Sequence, residues 1–245
     1  MVRAFLVTFV AFAYVLILGP PLLIYSVISG NTDPLYRIGK LGARMALWLA
    51  GVQLEIRGLD QIPRDRPVVF MANHQSNCDP AALLAVLPSV LVMVKKEFFR
   101  VPILGRGMVA RGFIPVDRRN REQALEAVEK GVQALRAGKS FLVFPEGTRS
   151  PDGRLQRFKK GVFVMAIKAG APIVPISVSG SNKIMPKGKF VIRPGGVRIT
   201  FHEAVATEGL AIDDRQVIIE LVRAAILGGL ERSEWPEASR AENRE

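Results

Sequence analysis

The stretch from Pro67 to Leu87 reads PVVFMANHQSNCDPAALLAVL and changes from one structural pattern to another around a polar loop. Its first part, Pro67–Ala72, is a short apolar run rich in β-branched residues, which predicts a strand. Its last part, Pro80–Leu87, predicts a helix, because Asp79 is a suitable N-cap and Pro80 suits the first helical position.

The rest of the chain repeats this alternation. Apolar, β-rich runs predict strands at Val52–Arg57, Val90–Val94, Phe113–Val116, Phe141–Phe144 and Ile173–Val178, and a hairpin of Val191–Arg193 with Val197–Phe201. Helical patterns cover Arg121–Ala137, Gly161–Ala169 and Asp213–Leu227. Strands alternating with helices predict an α/β fold with a mostly parallel sheet flanked by helices. We place this domain at residues 51–230 and a polar tail at 231–245.

The N-terminal stretch Ala4–Ser29 contains no charged residue. At 1.5 Å per residue it can span roughly 30 Å of hydrocarbon as one helix. Gly19-Pro20-Pro21 interrupts the pattern, since proline removes helix donors and clashes with the preceding turn. A kinked single span and a shallow helical hairpin in one leaflet are therefore the two main alternatives. A cleaved signal peptide is disfavoured, because Arg3 is the sole charge before the apolar run and no small-residue cleavage pattern follows.

The segment Tyr36–Leu49 predicts an amphipathic helix with basic residues near lipid headgroups, namely Arg37, Lys40 and Arg44. Residues 1–50 thus predict a membrane anchor. The whole chain of 245 residues is 49% hydrophobic and carries a net charge of +12, which favours anionic membranes or other polyanions as neighbours. Its one cysteine, Cys78, excludes an intramolecular disulfide framework.

Two histidines narrow the choice of a general base. His74 follows a predicted strand, at the end of the sheet where open α/β folds bind ligands. A neutral imidazole can take a proton from a hydroxyl, and a carboxylate on its other nitrogen fixes the tautomer. Asp79 follows five positions later, so the pair forms part of a triad whose nucleophile is the substrate's own hydroxyl. The alternative is that Asp79 only caps its helix. His202 lies in a strand pattern beside Glu203, and we interpret it as structural.

A second polar string, Phe144–Ser150, reads FPEGTRS and also follows an apolar strand. Gly147 permits a tight turn with a close ligand. Arg149 offers a fork of donors that matches a phosphate, and Glu146 is an acceptor for a hydroxyl or for the arginine. Alone, this string could be a β-turn with an exposed ion pair. Together with the polar string around His74, it favours a ligand-binding site over a simple turn.

Basic residues are dense between Lys95 and Arg121, with eight of them against Glu97 and Asp117. A solvated basic face is one interpretation, and a face that meets anionic lipid also explains the interleaved aromatic residues. A groove for single-stranded nucleic acid is disfavoured, because a long uncharged anchor is foreign to such modules.

The strings Asn73-His74-x4-Asp79 and Phe144–Ser150 closely resemble the motifs of the glycerolipid acyltransferases typified by 1-acylglycerol-3-phosphate acyltransferase (lysophosphatidate acyltransferase). Two further blocks resemble the same family, Lys95–Phe98 with Phe113–Arg118, and Val174–Val178. Together the blocks span residues 51–201. The second block departs from the family pattern, because Pro115-Val116 lengthens the usual Phe-Ile-x-Arg by two residues.

The resemblance implies a general base at His74 with Asp79 as its partner, and a glycerol site lined by Glu146 and Gly147. It implies that the substrate phosphate is bound by Lys95, Arg118 and Arg149. Pro175 and Ile176 shape the acyl-donor site in this interpretation.

The implied reaction moves an acyl group from acyl-carrier protein or acyl-CoA to the sn-2 hydroxyl of 1-acylglycerol-3-phosphate, making phosphatidate for phospholipid biosynthesis. No cofactor or metal is implied beyond the acyl donor, and no nucleic acid. The implied place is the cytoplasmic membrane, with the active site facing the cytoplasm. Another lysophospholipid or glycerol-3-phosphate acyltransferase is the main alternative. A hydrolase that uses His74 with water and a non-catalytic lipid-binding protein are the others.

Overall fold

The structure, a computed structural model, describes residues 1–117 and 120–237. Within this range one sheet contains seven strands: β1 Val52–Arg57, β2 Val69–Ala72, β3 Val90–Lys95, β4 Ile114–Val116, β5 Ser140–Val143, β6 Ile173–Ser179 and β7 Gly195–Phe201. Their order is β1-β7-β6-β2-β5-β3-β4. All neighbours pair in parallel except β6 and β7. The predicted mostly parallel α/β fold is confirmed.

Helices cover both faces of this sheet. They are α1 Val2–Ser29, α2 Asp33–Leu49, α3 Cys78–Val86, α4 Leu104–Arg111, α5 Arg121–Arg136, α6 Gly161–Ala169, α7 Ser181–Ile184 and α8 Arg215–Gly228. Short 3-10 helices lie at Leu59–Gln61, Lys96–Arg100, Ile212–Asp214 and Arg232–Glu234. Strand β2 is apolar throughout because both of its faces are buried. Val69 and Met71 belong to one core cluster, and Phe70 and Ala72 belong to the other. A parallel strand that is buried on both faces needs apolar residues at every position.

The predicted hairpin around Pro194 is wrong. Residues 191–193 form no strand, and the Arg193 N–H donates to the carbonyl of Ile184 in α7 (3.0 Å). Strand β7 instead pairs in parallel with β1 and antiparallel with β6. Both of its edges are therefore occupied, so no edge remains for a hairpin partner.

The N-terminal stretch forms one helix, and the predicted interruption at Gly19-Pro20-Pro21 does not break it. Gly30, in a left-handed conformation with φ +68°, ends α1 and turns the chain towards α2. The shallow hairpin within residues 4–29 is therefore excluded. Across the described residues, α1 is the helix that is long and apolar enough to cross a membrane by length and composition, with a mean hydropathy of 2.2.

Helix α2 is docked on the α/β domain by basic side chains. Lys40 Nζ donates to the Leu87 carbonyl (2.6 Å), and Arg44 donates twice to the Ala85 carbonyl (3.1 and 2.9 Å). These carbonyls lie at the C-terminal end of α3, where a helix leaves acceptors unpaired and favours positive charge. Lys40 and Arg44 thus bond to α3, and their place near lipid headgroups stays a prediction.

The described part of the polar tail is folded against the sheet. Glu234 is buried, and its carboxylate accepts the Gly180 N–H (2.8 Å) and the Ser179 hydroxyl at the end of β6. The Leu155 N–H donates to the Glu234 carbonyl (2.9 Å). These bonds fasten the C-terminal segment to the loop that follows the FPEGTRS string.

Candidate active site

Asn73 directly follows β2, and its side chain pairs with the neighbouring strand. Its side-chain amide donates to the Val178 carbonyl (2.8 Å) and accepts the Val178 N–H (2.7 Å) on the neighbouring strand β6. The side chain thus completes the sheet pairing, because an amide carries the same donor and acceptor as a peptide unit. The main chain leaves the sheet here, and His74 begins the loop beyond its carboxyl edge.

Asp79 is a hydrogen-bond acceptor for this loop, and the prediction that it is the N-cap of α3 is wrong. It lies inside the first turn of α3, after Asn77 at the N-cap position. Its fully buried Oδ2 accepts the N–H groups of Gln75 and Ser76 (both 2.7 Å). The same oxygen bonds to Nδ1 of His74 (2.8 Å). The positive end of the helix dipole favours a carboxylate at this position.

The His74 ring is held in one orientation. Its side chain is 13% exposed and stacks on Phe144, with ring centroids 4.1 Å apart and an interplanar angle of 23°. Because Asp79 accepts from Nδ1, the geometry assigns the ring proton to that nitrogen and leaves Nε2 as a proton acceptor. The paired histidine and aspartate that the sequence predicts do meet.

Glu146 joins the two polar strings. One carboxylate oxygen accepts the His74 N–H (2.6 Å), and the other accepts the Gln156 N–H (3.1 Å). The side chain is 2% exposed, and this burial raises the pKa of its carboxyl to about 7. Glu146 therefore holds the main chain of the base, a contact that sequence reasoning did not anticipate.

The loop from Pro145 to Ser150 carries Arg149 across the sheet edge. Gly147 adopts a left-handed conformation, with φ +72°, and its N–H closes a turn on the Phe144 carbonyl (2.9 Å). The Ser150 N–H then donates to the His74 carbonyl (2.7 Å). The loop thus runs from the end of β5 to the end of β2. Arg149 lies next to this bond and is half-buried.

The other predicted cations lie farther along the edge. Lys95 ends β3, its side chain is 50% exposed, and it pairs with Glu97 (3.3 Å). Since β5 lies between β2 and β3, the ends of those two strands are roughly 10 Å apart at ordinary strand spacing. Lys96 pairs with Asp117. Arg118 lies outside the described residues.

The comparison with known proteins agrees with this arrangement. The sequence profile of the family described as Acyltransferase matches residues 53–179, which is more than half of the chain. The chain belongs to the Acyltransferase family. The match includes both polar strings, and it excludes α1, α2 and α8.

Individual members of the Acyltransferase family can be aligned with this chain. It is 36% identical over 170 residues to "1-acyl-sn-glycerol-3-phosphate acyltransferase BAT2, chloroplastic" of Brassica napus, covering 69% of this chain and 49% of that protein. It is 33% identical over 171 residues to a 1-acyl-sn-glycerol-3-phosphate acyltransferase of Pseudomonas aeruginosa, covering 68% and 66%. This chain thus spans about half the length of the chloroplastic relatives it matches.

A solved structure is similar over the whole chain. It is the crystal structure of the 1-acyl-sn-glycerophosphate (LPA) acyltransferase PlsC from Thermotoga maritima, with a TM-score of 0.81 and 25% sequence identity. The similarity covers 100% of this chain and 96% of that one. It therefore includes the two N-terminal helices, which lie outside the match to the Acyltransferase family profile.

Arg223 is a residue of the site that sequence reasoning missed. This side chain on α8 donates to the Gln156 carbonyl (2.7 Å), and its guanidinium lies 5.5 Å from the ring centroid of Phe158. Its positive charge also lowers the pKa of Glu146, opposing the larger effect of burial. No local pattern marks Arg223, because its partner Gln156 lies 67 residues earlier in the chain.

His202 is fixed in a separate hydrogen-bond network. Its Nε2 bonds to the Ser177 hydroxyl (2.7 Å), which donates to the Ile226 carbonyl (2.6 Å) near the end of α8. Burial lowers the pKa of His202. The network ties the sheet to α8, in agreement with the structural interpretation of this residue.

Proposed function

We propose that the protein transfers an acyl group from a thioester, carried by acyl-carrier protein or coenzyme A, to the sn-2 hydroxyl of 1-acylglycerol-3-phosphate. The product is phosphatidate. The observation that carries this proposal is the His74–Asp79 pair, which leaves Nε2 as a proton acceptor beside a loop that bears Arg149. The names of the similar proteins support the choice of acceptor.

The nucleophile in this proposal is the hydroxyl of the lipid. Three nucleophilic side chains near the base, those of Ser76, Cys78 and Ser150, are poorly suited to form an acyl-enzyme. Ser76 donates to the Met185 carbonyl (2.8 Å), and Ser150 donates to Asp152 (2.9 Å). Burial raises the pKa of Cys78 to about 12, so its thiol does not ionise at neutral pH. Direct transfer to the lipid hydroxyl therefore fits the site better than a covalent intermediate.

The proposed reaction has two steps. Nε2 of His74 takes the sn-2 hydroxyl proton while the oxygen bonds to the thioester carbonyl carbon. Asp79, already bonded to Nδ1, stabilises the imidazolium that forms. The tetrahedral intermediate then breaks its carbon–sulfur bond, and the imidazolium returns the proton to the leaving sulfur. An ester and a free thiol result, and His74 is neutral again.

Substrate binding in this proposal uses the cations and the N-terminal helix. The phosphate is bound by Lys95, Arg118 and Arg149. The glycerol site is lined by Glu146 and Gly147. Helix α1 exposes large apolar side chains, including Phe5, Phe9 and Phe12, which suits burial in lipid. We propose attachment to the cytoplasmic membrane with the active site on the cytoplasmic side, where both acyl donors occur.

An assay that crosses donors with acceptors tests the proposal. The full chain in lipid or detergent receives acyl-carrier-protein or CoA thioesters together with lysophosphatidate, glycerol-3-phosphate, or 1-monoacylglycerol, which lacks the phosphate. We expect phosphatidate from lysophosphatidate and little transfer to the other two acceptors. Preference for glycerol-3-phosphate would replace the proposed acceptor. Release of free fatty acid without any acceptor would instead indicate a hydrolase.

A further inference from the structure

The segment that follows α7 packs directly against the loop that carries the base. The Ser76 hydroxyl donates to the Met185 carbonyl (2.8 Å), and Ser76 and Pro186 form an isolated antiparallel β-bridge. Ser76 also donates its N–H to Asp79 (2.7 Å). The segment is therefore fixed to the same loop that orients His74, and the next residue is Lys187.

The Lys187 side chain reaches the loop of Arg149. Its Nζ donates to the Arg149 carbonyl (2.7 Å), and the side chain is half-buried. An ammonium group has three hydrogens, so two stay available after this bond. The main-chain contact holds a positive charge beside the loop whose Ser150 N–H bonds to the His74 carbonyl.

Lys187 differs from most lysines that bridge elements of this structure, because its partner is neutral. Lys96, Lys168 and Lys183 each pair with a carboxylate from another part of the chain. Within the described residues neither Lys187 nor Arg149 forms an ion pair, and the ammonium group of Lys187 is bonded to the main chain of Arg149. An anion bound at this loop can therefore accept from the remaining hydrogens of Lys187 without displacing a carboxylate.

We infer that Lys187 is a binding residue for the acceptor phosphate and acts together with Arg149. The arginine fork binds phosphate oxygens in a bidentate manner, and the lysine adds a point charge whose position is set by the Arg149 carbonyl. The inference rests on the proposed function and deepens it. It adds a phosphate-binding cation from the segment after α7, whereas Lys95 lies at the end of β3, which β5 separates from β2.

The test compares three Lys187 variants with a neighbouring control. Lys187→Ala removes the charge and the bond to Arg149, whereas Lys187→Gln keeps an N–H donor without the charge. Lys187→Arg keeps the charge. The control is Lys189→Ala, two residues along the same segment, where the residue is exposed. Acyl transfer is measured against the concentration of lysophosphatidate and, separately, of the acyl donor.

We expect Lys187→Ala and Lys187→Gln to raise the KM for lysophosphatidate about 10- to 100-fold, the size of a lost charged hydrogen bond. The donor KM and the control should change less than about threefold, and Lys187→Arg should restore much of the affinity. The inference is overturned if Lys187→Gln matches the wild type, because the lysine would then serve only to hold the loop. Equal KM values for Lys187→Ala and Lys189→Ala would overturn it as well.

A binding measurement separates this inference from the proposed function. Glycerol-3-phosphate should raise the Tm of the wild-type protein and of Lys189→Ala, but not that of Lys187→Ala. If the wild type transfers no acyl group to any acceptor, the proposed function fails, and the Tm measurement alone judges Lys187. If glycerol-3-phosphate stabilises Lys187→Ala as much as the wild type, the inference about Lys187 fails whatever the activity.

Discussion

The two halves of the site are built differently. In the half that carries the base, buried Asp79 and Glu146 accept main-chain N–H groups, and His74 is stacked and bonded. In the half that carries the cations, Arg149 and Lys187 are half-buried and bonded to no carboxylate among the described residues. Proton transfer needs fixed geometry before the substrate arrives, whereas a phosphate supplies the missing partner of a cation when it binds. Changes in the first half should therefore lower kcat, and changes in the second half should raise KM.

The largest effect should come from His74→Ala. Removal of the general base should lower kcat by roughly a thousand- to ten-thousandfold, with the KM for lysophosphatidate nearly unchanged. Transfer rates at saturating substrate and circular dichroism of the purified variant measure both points. The matched control is His202→Gln, which should keep kcat because that histidine lies in a structural network. A folded His74→Ala protein with full activity would show that His74 is not the general base.

The next effect should come from Asp79→Asn. The amide keeps the size of the carboxylate but cannot hold the imidazole in the same tautomer or stabilise its charge, so kcat should fall roughly a hundred- to a thousandfold. The variant should also melt at a lower temperature, because two N–H groups lose a charged acceptor. Steady-state kinetics and thermal unfolding measure the two effects. Unchanged kcat in a destabilised variant would mean that Asp79 only organises the loop.

Arg149→Ala tests the other half and should act on KM. Loss of the guanidinium should raise the KM for lysophosphatidate about 10- to 100-fold, because charged hydrogen bonds to the phosphate disappear. The kcat at saturating acceptor should fall much less than in Asp79→Asn. Measurement with a fixed, saturating donor separates the two constants. A large loss of kcat with unchanged KM would contradict the division between the two halves.

Glu146→Gln should reveal a pH dependence in the buried half. The unfolded chain ionises this carboxyl near pH 4.3, whereas burial raises the pKa in the folded protein to about 7. Between these values the folded state binds more protons, so the wild type loses unfolding free energy as pH rises, by roughly 4 kcal/mol in total. Glutamine does not titrate. The Tm of the variant relative to the wild type should therefore increase from pH 5 to pH 8.

The control for this pH dependence is Glu203→Gln, an exposed carboxyl whose removal should leave the Tm profile unchanged. The kcat of Glu146→Gln should fall about tenfold, since the amide replaces one of two acceptor oxygens by a donor. A Tm difference between Glu146→Gln and the wild type that stays constant with pH would show that Glu146 keeps an ordinary pKa in the fold.

The smallest effect should come from Lys95→Ala. This lysine is half exposed and already paired with Glu97, so its removal should raise the KM for lysophosphatidate by about two- to fivefold. The same assay as for Arg149→Ala measures it, and Lys139→Ala serves as an exposed control. An effect as large as that of Arg149→Ala would indicate that the phosphate binds nearer to β3, and it would count against the inference about Lys187.

The sequence by itself determined the fold class and the chemical pair at the centre of the site. Strand β1 and helix α6 have the predicted bounds, and most other elements differ from prediction by one or two residues. Hydrophobic periodicity and turn residues are local signals, which explains this agreement. The His74–Asp79 pair was also predictable, because its members are five positions apart and one loop brings them together.

Only the tertiary structure decided what depends on contacts between distant parts of the chain. It placed β7 between β1 and β6, turned Lys40 and Arg44 towards α3, and joined Glu146 to the main chain of His74. It also brought Lys187 to Arg149, 38 residues earlier in the chain. Strand order and loop packing set these contacts, and they cannot be predicted from the spacing of residues along the chain. From the sequence alone, Lys187 is interpreted as a solvated charge, and only the fold shows that it binds the Arg149 carbonyl oxygen.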